Sequence, residues 1–259
     1  MNRPLRVVIT GASDGIGAAL ARHYAARGAT LGLIARREDL LRALAATLTV
    51  PVATYALDVR DGGGLVAAAA DFTARFGQPD VVIANAGVSA GNLTGCADDV
   101  DTCQWIFDVN VIGMVKTFHP FLDSMRASRS GVLVGIASVA GIRGLPGSGA
   151  YCGSKAAAIA YLESLRVELR GSGVSVVTLC PGYVRTAMTS RNPYAMPFLL
   201  EADDAARRLA RAIDARRAYA VVPWQMGLVA RLLRILPRWL FDRVFANVKR
   251  KPRRSTVEN

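Results

Sequence analysis

Two hydrophobic patterns alternate along this chain. Short continuous apolar runs are followed by longer segments whose apolar residues recur every three or four positions, which predicts strands and helices in turn. Leu5 to Thr10, Thr30 to Ala35, Val50 to Leu57, Asp80 to Ala84, Gly131 to Ala137, Val174 to Leu179 and Tyr219 to Val222 read as strands. Ala18 to Arg27, Glu38 to Leu48, Leu65 to Phe76, Asp98 to Met125, Ala150 to Arg170 and Ala202 to Arg216 read as helices. Leu40, Leu41, Leu44 and Leu48 set the spacing of the second helix, while Gly28 and Gly77 close the first and third. Tyr183 to Leu200 has no clear period, contains Pro193 and Pro197, and reads as a long loop.

Strand and helix alternate with neither linker nor repeat. That order calls for an α/β fold, one doubly wound parallel sheet of about seven strands with helices on both faces. A single domain is expected over residues 1–223. Beyond Pro223 the pattern turns helical: Leu228, Val229, Leu232, Leu233 and Leu236, then Leu240, Phe241, Val244, Phe245 and Val248, are spaced for two amphipathic helices broken at Pro237. Residues 224–248 are therefore read as a helical extension and 249–259 as a basic, disordered tail.

Composition narrows the class. Hydrophobic residues make up 52% of the 259 and charged ones 20%, which suits a globular chain with ample core. The start shows no secretory pattern, and no run reaches the roughly 18 apolar residues of a membrane span. Cys96, Cys103, Cys152 and Cys180 are scattered, and His23 and His119 lie far apart, so reduced thiols in a cytoplasmic setting are expected and no metal site. More than half of the +12 net charge falls after Pro223. Basic amphipathic helices suit either the surface of an anionic membrane, here its inner face, or packing within the protein. Nucleic acid ranks last, for want of a recognition motif.

Chemistry-bearing residues gather where the predicted strands end. The first strand runs into Gly11-Ala12-Ser13-Asp14-Gly15-Ile16-Gly17 and then a helix, the setting a dinucleotide-binding turn requires. The second ends in Ala35-Arg36-Arg37 where an acid would hold the ribose hydroxyls of NAD, so a cation is present that suits a 2′-phosphate. The third ends in Asp58-Val59, the fourth in Asn85-Ala86-Gly87, the fifth at Ser138, the sixth in Cys180-Pro181-Gly182. Ligands of such sheets lie beyond these strand ends. Tyr151 and Lys155 stand one helical turn apart, and an ammonium there would favour the phenolate of a tyrosine whose ordinary pKa is about 10.

With these positions laid out, the chain resembles the short-chain dehydrogenase/reductase family from about Leu5 to Pro223, with a Rossmann-type fold. Thr10 to Gly17 is similar to its cofactor turn, Asn85-Ala86-Gly87 to its adenine-side motif, and Pro181-Gly182-Tyr183-Val184-Arg185-Thr186 to its nicotinamide-side segment. Asn110, Ser138, Tyr151 and Lys155 match its catalytic four. The resemblance implies hydride transfer between NADP(H), with NAD(H) as the alternative, and a carbonyl or secondary alcohol. It implies Tyr151 as general acid and base, Lys155 lowering its pKa, Ser138 on the substrate oxygen, and Asn110 in a proton relay. Asp14 departs from the basic residue that many NADP-using members carry in the turn, and Ala84 from a frequent asparagine. Gly11, Ser13, Asp14, Gly15, Ile16, Gly17, Arg36, Asp58, Val59, Asn85, Ala86, Gly87, Pro181, Gly182, Val184 and Thr186 are the expected cofactor contacts, with Tyr151 and Lys155. Val184, Met188, Tyr194, Met196, Phe198 and Leu199 in the loop suit either an apolar pocket wall or packing of the loop against the domain; the first reading gives an apolar substrate, and a membrane role for the extension a lipid-like one. A homodimer or homotetramer through the Asp98–Met125 and Ala150–Arg170 helices is implied. A non-catalytic nucleotide-binding sensor or scaffold on the same fold is the alternative.

Overall fold

The computed structural model describes residues 3–190 and 192–253. Its centre is a seven-stranded, all-parallel sheet of β1 (Arg6–Thr10), β2 (Thr30–Ala35), β3 (Val52–Ala56), β4 (Val81–Ala84), β5 (Gly131–Ile136), β6 (Val174–Pro181) and β7 (Tyr219–Val222), in the order β3-β2-β1-β4-β5-β6-β7. The strand order reverses between β1 and β4, with Val8 aligned to Gly32 on one side and to Val82 on the other. A crevice opens beyond the strand ends at such a switch point.

Alternation along β1 feeds two cores. Val7 and Ile9 pack with Leu20, Tyr24, Leu209 and Ile213, from α1 (Gly15–Ala25) and α8 (Ala202–Asp214); α2 (Glu38–Ala46) adds Leu41. Val8 packs on the opposite face with Phe72 of α3 (Gly62–Phe76), Phe118 of α5 (Gly113–Ala127) and Leu162 of α6 (Gly149–Glu168). A strand buried on both faces reads as a continuous apolar run, as these do.

The long helical stretch is not one α-helix. α4 (Asp98–Phe107) passes through a π-helical turn, Asp108–Ile112, into α5. The loop after β6 holds one helical turn, α7 (Ala187–Ser190), and a bridge between Val184 and Leu200. The extension forms α9 (Trp224–Ile235) and α10 (Arg238–Phe245). Met226, Ala230 and Phe241 face inward, whereas Leu228 and Leu232 of the expected apolar stripe stay exposed. Arg143, from the loop after β5, ties this segment down. Its Nη1 donates to the carbonyls of Leu233 and Leu236, each at 2.6 Å, and its guanidinium lies 4.2 Å from the Phe241 ring centre.

The tail departs from the expectation of a disordered segment as far as it is described. Gly91 N donates to Pro252 O at 2.8 Å, and Arg253 pairs with the buried Asp99 carboxylate at 2.8 Å. A basic residue that meets a buried carboxylate has reason to leave water. Residues 254–259 lie outside the described residues. Among those described, no helix is long and apolar enough to cross a membrane.

Candidate active site

A cleft of about 440 Å³ opens over the ends of the central strands. Every expected cofactor contact except Gly17 lines it, and so do Ser138, Tyr151 and Lys155. Gly17 and Asn110 lie behind the wall.

The glycine turn is held by its neighbours. Gly11 and Gly15 take φ of +66° and +54°, which a side chain disfavours. A Cβ on Gly11 would come within 2.7 Å of the Ala86 backbone, and one on Gly17 would strike the Gly11 carbonyl. Asn85 Nδ2 donates to the carbonyls of Thr10 (3.0 Å) and Gly11 (3.1 Å), fastening the end of β4 to the turn. The Asp14 carboxylate caps α1 by accepting from Gly15 N at 2.6 Å. Gly15 and Ile16 begin α1 and line the cleft, so the helix N-terminus meets it, a setting suited to an anion.

Charge at the end of β2 is distributed differently from the sequence expectation. Arg37 turns across the glycine turn, donating to Ser13 Oγ at 3.3 Å and standing 3.5 Å from Asp14. Arg36 lies 3.9 Å from Asp58. Asp58 is held mainly by Arg60, at 2.9 and 3.1 Å. Burial alone would raise the Asp58 carboxyl, but Arg60 and then Arg36 hold it below the usual range. Arg60 was not foreseen, although its position two residues after Asp58 is the only signal needed.

Ser138 follows β5 by two residues and its hydroxyl accepts from Ala140 N at 3.1 Å, capping the short turn after the strand. Tyr151 and Lys155 come from the first turns of α6. The Lys155 ammonium is buried, donates to Ile136 O at 2.9 Å, and lies 5.9 Å from the Tyr151 ring centre. Burial lowers Lys155 to about 8. Burial also pushes the Tyr151 phenol up to about 12, against the opposing hydrogen bond with Ser138. Helical spacing predicts a lowered tyrosine; desolvation of the same side chain reverses the direction.

Asn110 is fully buried in the π-helical turn. Its Oδ1 accepts from Val88 N at 2.8 Å, and its Nδ2 donates to Val88 O and Ser154 Oγ, both at 3.0 Å. Such turns commonly re-aim one side chain. Here it is aimed at the loop after β4, with Gly87 leaving room between Asn110 Oδ1 and Lys155 Nζ.

The tail contributes a group the motifs did not reveal. Lys251 Nζ donates to Ser89 Oγ at 2.8 Å and stands 5.9 Å from the Tyr151 ring centre. No local pattern signals this, because the contact joins positions 162 residues apart.

Residues 6–195 match the short chain dehydrogenase family. The chain belongs to the short-chain dehydrogenase/reductase family, and is an oxidoreductase of that family. An uncharacterized oxidoreductase of Myxococcus xanthus is 38% identical over 238 residues, spanning 91% of this chain and 94% of the relative. A short chain dehydrogenase/reductase from Burkholderia phymatum, solved in complex with NAD, superposes with a TM-score of 0.78 at 28% identity, covering 97% of each chain. The L-sorbose reductase of Gluconobacter frateurii, solved with NADPH and L-sorbose, gives a TM-score of 0.75 at 25% identity, covering 85% of this chain and 95% of that one.

Proposed function

We propose that this protein is an NADP(H)-dependent oxidoreductase that interconverts a carbonyl and a secondary alcohol, with Tyr151 as general acid and base. One observation carries the reading: Ser138, Tyr151 and Lys155 line the same cleft as the glycine turn. The bare backbone at Gly11 and Gly15 and the α1 N-terminus suit a pyrophosphate, and Arg36 with Arg37 suits a 2′-phosphate. Asp58, Val59, Asn85, Ala86 and Gly87 would hold the adenine side, and Pro181, Gly182, Val184 and Thr186 the nicotinamide side. A bound nicotinamide cofactor supplies or accepts the hydride.

The rest is the work of the chain. A phenol held near 12 keeps its proton at neutral pH and can give it to a carbonyl oxygen that gains charge. Lys155 beside it stabilises the phenolate left behind, and Ser138 donates to the same substrate oxygen. Asn110 positions the loop after β4 and, through Ser154, the first turns of α6. Tyr183 and Tyr194, with ring centres 6.3 Å apart, and Met188 on the cleft wall suit an apolar substrate body. Tyr151→Phe removes the proton donor and keeps the ring. Turnover should fall by on the order of 10² or more, with cofactor binding retained by fluorescence titration; near-normal turnover defeats the assignment.

Two further surfaces bear on partners. Of the fifteen large apolar side chains exposed among the described residues, seven fall from Trp224 onward, including Trp224, Leu228, Ile235 and Trp239. With Arg231, Arg234, Arg238 and Arg243 nearby, this face suits an anionic membrane surface. Sedimentation of the full chain with anionic vesicles, absent with neutral ones, is the expected result. Ala156, Ala160 and Val167 on α6 are open to solvent and suit pairing of two copies, so light scattering should give at least a dimer.

A further inference from the structure

Two ammonium groups each stand 5.9 Å from the centre of the Tyr151 ring, and they are held very differently. Lys155 is built into α6 and donates to a backbone carbonyl. Lys251 arrives from the far end of the chain, on a strap whose neighbouring residues are anchored by the Gly91–Pro252 hydrogen bond and the Arg253–Asp99 pair. Asp99 is committed to Arg253 and to the Leu93 amide. Among the described residues no carboxylate pairs with Lys251, which donates instead to the neutral hydroxyl of Ser89. An ammonium has three donors. Burial lowers this one to about 8, so its charge is costly to keep where it stands. A cation drawn partly out of water, beside the proposed proton donor, is a place for an anion carried by the substrate.

We propose that Lys251, with Ser89, forms an anion subsite beside Tyr151 and selects a carbonyl substrate bearing a carboxylate a few bonds from the reacting carbon. One ammonium and one hydroxyl suit a monoanion; a phosphate dianion ordinarily draws several cations or backbone amides. The subsite deepens the reading of Tyr151 as general acid, on which its catalytic meaning rests. It sets one charged recognition point beside Tyr151, outside the residues that line the cleft itself, in keeping with the few placed polar groups of small-molecule sites.

The test uses the full chain with NADPH and two probes, 4-oxohexanoate and its methyl ester. The acid should be preferred in kcat/KM by about tenfold or more. Lys251→Met should lower kcat/KM for the acid about tenfold more than for the ester, chiefly through KM, and Lys251→Arg should retain the preference. Equal use of acid and ester by the wild type overturns the subsite. An equal loss for both probes in Lys251→Met also overturns it, leaving Lys251 to act on Tyr151 alone. Calorimetry with hexanoate and hexanamide in the presence of NADP⁺ separates the two readings. Tighter binding of hexanoate, lost in Lys251→Met, upholds the subsite even where neither carbonyl is turned over, and the catalytic reading then fails by itself. Equal or absent binding of both overturns the subsite.

Discussion

The two rims of the cleft hold charge by different means. On the cofactor rim, the positive end of α1, Arg36, Arg37 and Arg60 all sit within a few residues of a strand end, and their partners are close in sequence or on adjoining strands. On the proposed substrate rim, Lys251 beside Tyr151, with Arg253 and Arg143 that tie down the C-terminal segment outside the cleft lining, meet partners 90 to 162 residues away. The first rim follows almost automatically once the sheet forms, because the strands carry their own ends to the switch point. The second exists only if a distant segment returns and docks. On the proposed function a fixed dinucleotide and a variable substrate would place these two demands on one cleft, and the division matches them.

The sharpest way to break the comparison is to remove one cation from each rim. Arg36→Ala should weaken NADPH by on the order of tenfold to a hundredfold and NADH far less, by fluorescence titration, leaving the ratio of acid to ester use in place. Wild-type enzyme that accepts NADH as readily as NADPH would show that Arg36 does not read the phosphate. Arg253→Gln frees the strap without touching Lys251. It should raise KM for 4-oxohexanoate by roughly tenfold, and for the ester much less, with cofactor preference unchanged. Equal shifts for both probes would reduce the strap to a structural cover. The smallest effect is in pH. With the neutral ester, kcat/KM for reduction should decline several-fold as pH rises through about 8, where Lys155, and Lys251 at the same distance from the ring, lose their protons and cease to favour the phenolate. Tyr151, near 12, stays protonated across that range. A flat profile would mean that both lysines keep their charge, and the same profile in Lys251→Met isolates Lys155.

The same contrast decides what could be read from the chain. The glycine turn, Asn85 and the Tyr151–Lys155 spacing are local patterns, and the period of each run places the first two at strand ends and the pair on a helix. The π-helical turn at Asn110 is hidden, because one extra residue in a helix barely alters the apolar spacing of α4 and α5. The pKa of Tyr151 is misjudged from spacing, since i and i+4 give proximity to Lys155 and say nothing of burial. For the tail, a run of lysines and arginines reads as solvated; only the fold reveals that Asp99 is buried opposite Arg253, and that Ser89 lies where Lys251 can reach it. The arginines at 36 and 37 are intermediate: their presence was legible, while their division between Asp58 and Asp14 was not.

The Gly91–Pro252 hydrogen bond also supplies a clock. Gly91 gives its backbone hydrogen to the strap and to no strand of the sheet, and Pro252 has no such hydrogen to return. Lifting the strap therefore strips protection from Gly91 while every ladder bond of β1 to β7 stays closed. Deuterium uptake at that one amide counts these partial openings, which lie well below the free energy of unfolding the sheet. Its rate reports how often the substrate rim comes apart in a molecule that is otherwise intact.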